Sequence, residues 1–73
     1  MLEGWISRAL QRFEATGTIR RGEWVARTPD GRVRAAHESD SDLEGRAMCA
    51  SEAGYNVIVL STEAIRELGY PEP

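Results

Sequence analysis

The chain has 73 residues, a formal charge of -3, 41% hydrophobic and 29% charged side chains. This is the balance of a folded chain rather than a disordered one, at a length that holds one domain. A single cysteine excludes an internal disulfide and any Cys-pair metal site. No apolar run approaches the roughly 20 residues that a membrane span needs, and the N-terminus lacks a signal-peptide pattern. A cytoplasmic protein with no membrane association is expected.

Residues Leu2, Trp5, Ile6, Ala9, Leu10 and Phe13 recur at the spacing of one helical face, with Ser7, Arg8, Gln11, Arg12 and Glu14 opposite. A first helix is predicted over residues 3–15, ended by Gly17 in the left-handed conformation.

A β-hairpin follows. Thr28-Pro29-Asp30-Gly31-Arg32 combines a proline that presets a type I turn with a glycine that accepts positive φ, the signature of a three-residue loop with a glycine bulge. Counting outward pairs Arg27 with Val33, Val25 with Ala35 and Trp24 with Ala36. Val25, Val33 and Ala35 then share one face, and Trp24, Ala26 and Ala36 the other. Gly22 is a candidate bulge that would bring Ile19 onto the side of Trp24.

Ser41 with Glu44 three residues later forms a capping box, and Asp42 adds charge that favours a helix start. A second helix is predicted over residues 42–52, with Leu43, Ala47, Met48 and Ala50 toward the core and Gly54 beyond its end. Gly45 weakens it, so packing must hold it. Val57-Ile58-Val59-Leu60 reads as a strand buried on both faces. Ser61 and Glu63 open a last short helix through Ala64, Ile65 and Leu68, stopped by Gly69 and Pro71.

The predicted order is α-β-β-α-β-α, an α+β domain spanning residues 1–73 with a three-stranded mixed sheet packed by helices. The second helix would make a right-handed crossover between parallel strands. Because the tight turn makes the hairpin strands neighbours, Val57, Ile58, Val59 and Leu60 would form an uncharged sheet edge. Such an edge invites pairing with a second copy, hence a possible homodimer.

Charge is segregated along the chain. All nine basic residues are arginines, and five of them (Arg20, Arg21, Arg27, Arg32 and Arg34) fall between Thr18 and Arg34. Four acids and no base follow from Glu38 to Glu44. With Trp24, the arginines could grip phosphates and stack on a base. Against that stand the acidic remainder of the chain and arginines that point to both faces of the ribbon.

Asp40-x-Asp42-x-Glu44-Gly45 resembles the opening of a calcium loop, but Ser51 stands where a bidentate glutamate is required, so no metal site is assigned. His37 and Cys49 are the only candidate base and nucleophile, and they fall in different elements with no third group to orient the base. No catalytic residue and no cofactor is therefore assigned.

These features favour a non-enzymatic protein-interaction or regulatory module. Its candidate partner-binding residues are Arg20, Arg21, Trp24, Arg27, Arg32, Arg34, Asp40, Asp42 and Glu44. Size alone puts phage- or mobile-element-type inhibitors of a bacterial defence or host complex within that class. A nucleic-acid-binding module using the arginine-rich hairpin is the alternative.

Overall fold

The computed structural model describes residues 9–67 and 69. Their elements are β1 (Leu10–Glu14), β2 (Trp24–Arg27), β3 (Val33–Ala35), β4 (Gly45–Ala47), β5 (Asn56–Ser61) and one helix, α1 (Thr62–Glu67). The five strands form a single sheet in the order β1-β5-β4-β2-β3, with every neighbouring pair antiparallel. The chain just past β1 then meets the opposite edge. Ala15 bridges Val33, and the Thr16 N–H donates to the Val33 carbonyl at 2.9 Å. The sheet therefore curls until its two borders touch. The expected α+β arrangement with a three-stranded mixed sheet is replaced by this mainly antiparallel sheet and one short helix.

The hairpin forms as its turn residues dictate. Gly31, at φ +89°, donates to the Thr28 carbonyl at 3.0 Å, and Thr28 N–H closes the loop on the Arg32 carbonyl at 2.7 Å. The register pairs Arg27 with Val33 and Val25 with Ala35, and Ala36 N–H reaches the Trp24 carbonyl at 2.9 Å. The predicted helix opened by Ser61 also forms. The Ser61 Oγ accepts from the Ala64 N–H at 3.1 Å, capping α1.

The first predicted helix is corrected from Leu10 onward, while Ala9 is helical. Residues 1–8, with Leu2, Trp5 and Ile6, lie outside the described residues, and Leu10–Glu14 is an edge strand paired with β5. Leu10 and Phe13 are an odd number of positions apart, so a strand puts them on opposite faces. Each finds apolar company there. Phe13 packs against the core inside the curl, and Leu10 against a second cluster of Ala9, Leu60 and Ala64. Two apolar environments, one on each face of the sheet, imitate the helical spacing. Gly17 does not adopt positive φ and ends no helix.

The second predicted helix is also corrected. Its central residues Gly45–Ala47 form β4, hydrogen-bonded between β2 and β5. Gly45 is the reason β4 fits against β5. A Cβ built there would lie 2.0 Å from the Leu60 carbonyl oxygen and 2.9 Å from a Val59 methyl. Ser41 and Glu44 consequently form no capping box. Glu44 instead joins the β2 ladder, its N–H donating to the Val25 carbonyl at 2.9 Å.

Val57–Leu60 is a strand, but not a border. β5 lies between β1 and β4, so both of its backbone edges are occupied within one copy. The parallel crossover is absent because a strand, not a helix, follows the hairpin and pairs antiparallel with β2. The ground for edge-to-edge pairing through Val57, Ile58, Val59 and Leu60 falls with it. Nor is β5 buried evenly. Val57 and Val59 point into the core, Leu60 is covered on the other face, and Ile58 beside it remains 39% exposed.

The core inside the curl holds Ala15, Ile19, Val25, Val33, Ala47, Val57 and Val59. Burying each larger aliphatic side chain contributes about 1.5–3 kcal/mol. Ile19 joins the side of Val25, not that of Trp24. It bridges Ser51 while Trp24 pairs with Arg46, a separation of five residues on both strands (24−19 and 51−46), so alternation runs through the intervening turn without a change of phase. That turn spans Arg20–Glu23, with Gly22 at φ +89° and the Glu23 N–H donating to the Arg20 carbonyl at 3.1 Å.

Candidate functional site

The hairpin's arginines are held by the chain's own acids. Arg27 Nε lies 3.0 Å from Glu44 Oε1, and its guanidinium sits 5.0 Å from the centre of the Phe13 ring. β2 pairs with both β3 and β4, which places Arg27 near the chain that leads into β4. Arg32 contacts Asp30 at 2.8 Å and Glu14, at the end of β1, at 3.3 Å. The Thr28 hydroxyl also donates to Asp30, and this bond, followed by the Arg32 guanidinium, holds the Asp30 carboxyl below its ordinary range.

Arg34 forms a two-pronged contact with Asp40, Nη1 to Oδ2 at 2.9 Å and Nη2 to Oδ1 at 3.1 Å. The His37 N–H donates to the same carboxylate at 2.7 Å, and the Asp40 N–H returns to the His37 carbonyl at 3.0 Å. The guanidinium first, and then the His37 amide, push the Asp40 carboxyl far below the usual carboxylate value and raise the Arg34 guanidinium. Forked Arg–carboxylate geometry of this kind is among the stronger polar contacts available to a surface. Here it pins the loop after β3 against the hairpin.

The structure thus brings Arg27 to Glu44 and Arg34 to Asp40, linking the predicted basic and acidic segments. It does not bring the five arginines to one surface. Arg20 and Arg21 sit exposed at the Arg20–Glu23 turn and make no ion pair among the described residues, while Asp42 is exposed in the loop before β4. No group of three metal-ligating side chains forms among the described residues. The resemblance to a calcium loop ends in arginine contacts at both Asp40 and Glu44.

Beside the Arg34–Asp40 clamp lies a concave recess of about 290 Å³, lined by Glu23, Trp24, Ala36, His37, Glu38, Asp40 and Leu43. The hairpin register builds it. Trp24 and Ala36 fall side by side on the outer face of the sheet, and the turn from His37 to Asp40 folds over to form one wall. Trp24 is steadied by Arg46, its cross-strand partner, whose guanidinium carbon sits 5.1 Å from the ring centre. Arg46 Nε also donates to the Gly22 carbonyl at 2.8 Å.

Of the recess residues, sequence reasoning selected Trp24 and Asp40 for binding, and weighed His37 only as a base. It missed Glu23, Ala36, Glu38 and Leu43. The turn alone gives the register that places Ala36 beside Trp24, whereas the sequence puts Leu43 in the core of a helix that does not form. His37 and Cys49 are not brought together as a pair. His37 lines the recess, and Cys49 packs against the core inside the curl. Among the described residues, no helix is long and apolar enough to cross a membrane. No protein-family model matches the chain, and no curated protein or solved structure matches it either.

Proposed function

We propose that the protein is a non-enzymatic protein-interaction module whose partner docks on the outer face of the β2–β3 hairpin, over Trp24. The observation that carries this reading is the recess: an aromatic wall with Ala36 and Leu43, bordered by polar side chains, on a face braced by the Arg34–Asp40 clamp. An aromatic anchor in a rigid concave setting with a polar rim is the usual composition of an interaction hot spot.

The nucleic-acid alternative ranks second for a physical reason. Phosphate binding draws its free energy from arginines or lysines that are free to displace counterions. Arg27, Arg32 and Arg34 already face carboxylates, which leaves Arg20 and Arg21 of the five. Two guanidiniums make a small phosphate footprint in a chain of net charge -3.

The test is site-directed photo-crosslinking in the source cells, with the photoreactive side chain at position 36 and, as a control, at position 56 on the exposed start of β5. A protein adduct specific to position 36, lost in Trp24→Ala, is expected. Equal adducts from both positions, or binding to duplex or single-stranded DNA that falls steeply with salt and depends on Arg20 and Arg21, would overturn the reading.

A further inference from the structure

We propose that the recess beside Trp24 receives an arginine side chain projecting from the partner protein, its guanidinium set against Trp24 and the carboxylates of Glu23 and Glu38. This rests on the protein-interaction reading above and adds the chemistry of the contact. Three acids line the recess, and their states differ. Asp40 is already engaged, both oxygens accepting from Arg34 and one also from the His37 amide. Glu23 accepts one hydrogen bond, from the Arg20 N–H at 2.5 Å through Oε1. Glu38 is exposed and receives none among the described residues. Charge on this rim is therefore left over for a cation from outside.

Arg46 lies on the same face, on the Trp24 ring. Its guanidinium is held at the Gly22 carbonyl and the Trp24 ring, and it forms no part of the recess lining. The apolar part of the lining, Trp24 with Leu43 and Ala36, suits the methylene stem of a long cationic side chain. A guanidinium fits better than an ammonium. It is planar, less strongly hydrated, and able to stack on an indole while bonding carboxylates side-on. The protein's own Arg46–Trp24 and Arg34–Asp40 contacts show both modes at work on this face.

The experiment is a ¹H–¹⁵N NMR titration of the full chain with N-acetyl-arginine methylamide, and with its neutral isostere N-acetyl-citrulline methylamide. The arginine probe is expected to shift the amides of Trp24, Ala36, Glu38 and Leu43 and the Trp24 indole N–H, identified by its loss in Trp24→Phe. The citrulline probe should leave them in place. Glu23→Gln/Glu38→Gln should weaken the arginine probe about fivefold, the order expected for two solvent-exposed charge contacts. Its spectrum also reports directly whether the variant keeps the fold.

Equal shifts from both probes would mean that the positive charge plays no part in the contact and would overturn the proposal. So would arginine-probe shifts that avoid the recess residues, or an undiminished response in the double variant. Failure here is separable from failure of the parent reading. A position-36 adduct that depends on Trp24, with no arginine-selective shifts, keeps the docking face and removes the cation. Arginine-selective shifts without any adduct keep the chemistry and remove the protein partner.

Discussion

Gly45→Ala is the substitution on which the β4–β5 contact can be judged most sharply. The added Cβ would stand 2.0 Å from the Leu60 carbonyl oxygen and 2.8 Å from its carbon, where ordinary contact begins at 3.4 Å. Both atoms are backbone, so no rotamer change relieves the overlap. β4 and β5 must separate by up to 1.4 Å (3.4−2.0) at the point where Gly45 faces Ser61. That would break or stretch bonds of the β4–β5 ladder, the flanking Thr62 N–H to the Glu44 carbonyl at 3.1 Å and, three residues along, Met48 N–H to the Ile58 carbonyl at 2.7 Å.

Each lost bond costs about 1 kcal/mol and overpacking adds about 1–3 kcal/mol, so a loss of about 3–5 kcal/mol is expected. A domain of this size has only about 4–11 kcal/mol to lose, at about 0.05–0.15 kcal/mol per residue. Urea unfolding followed by far-ultraviolet circular dichroism measures the difference. Gly17→Ala is the matched control, because a Cβ there meets nothing within 4 Å and the backbone is not left-handed. It should stay within about 0.5 kcal/mol of the parent. A loss below about 1 kcal/mol for Gly45→Ala would refute the claim that a missing side chain lets β4 into the sheet.

The remaining predictions concern the clamp, the cap and the core. In Asp40→Asn the destabilisation relative to the parent should be full above pH 5 and shrink as pH falls below about 3.8. The sign follows from a folded carboxyl held low by Arg34, whose stabilisation exists only where the unfolded chain's Asp40 is ionised. Acid titrations of both proteins that run parallel throughout would contradict it. Ser61→Ala removes the acceptor for the Ala64 N–H and should cost about 1 kcal/mol in urea unfolding, while Ser61→Asp, which restores an acceptor, should recover most of it. Ile19→Ala empties a fully buried site and should cost about 2–5 kcal/mol. Ile19 occupying Trp24's exposed side would give far less, so a loss under about 1 kcal/mol would restore the phase change at Gly22.

Local chemistry alone determined three parts of this molecule. The Thr28–Arg32 turn set the hairpin and its register, because proline and glycine restrict φ without help from the rest of the chain. The unbroken aliphatic run of Val57–Leu60 was a strand, and Ser61 opened a helix, for equally local reasons. Trp24 is legible in the sequence only as an aromatic flanked by charge.

Tertiary structure decided the rest. Leu10 and Phe13 resemble a helical stripe until two apolar environments, one on each face of the sheet, receive them separately. Gly45 reads as a weak point in a helix until the Leu60 backbone approaches to where a side chain would be. Because those two segments become strands, β5 moves from the border to the interior of the sheet, and Glu44, expected to cap a helix, meets Arg27 of the hairpin instead. The recess is divided between local chemistry and tertiary structure: the turn's register already sets Ala36 beside Trp24, whereas Leu43 reaches it because the chain before β4 is not helical.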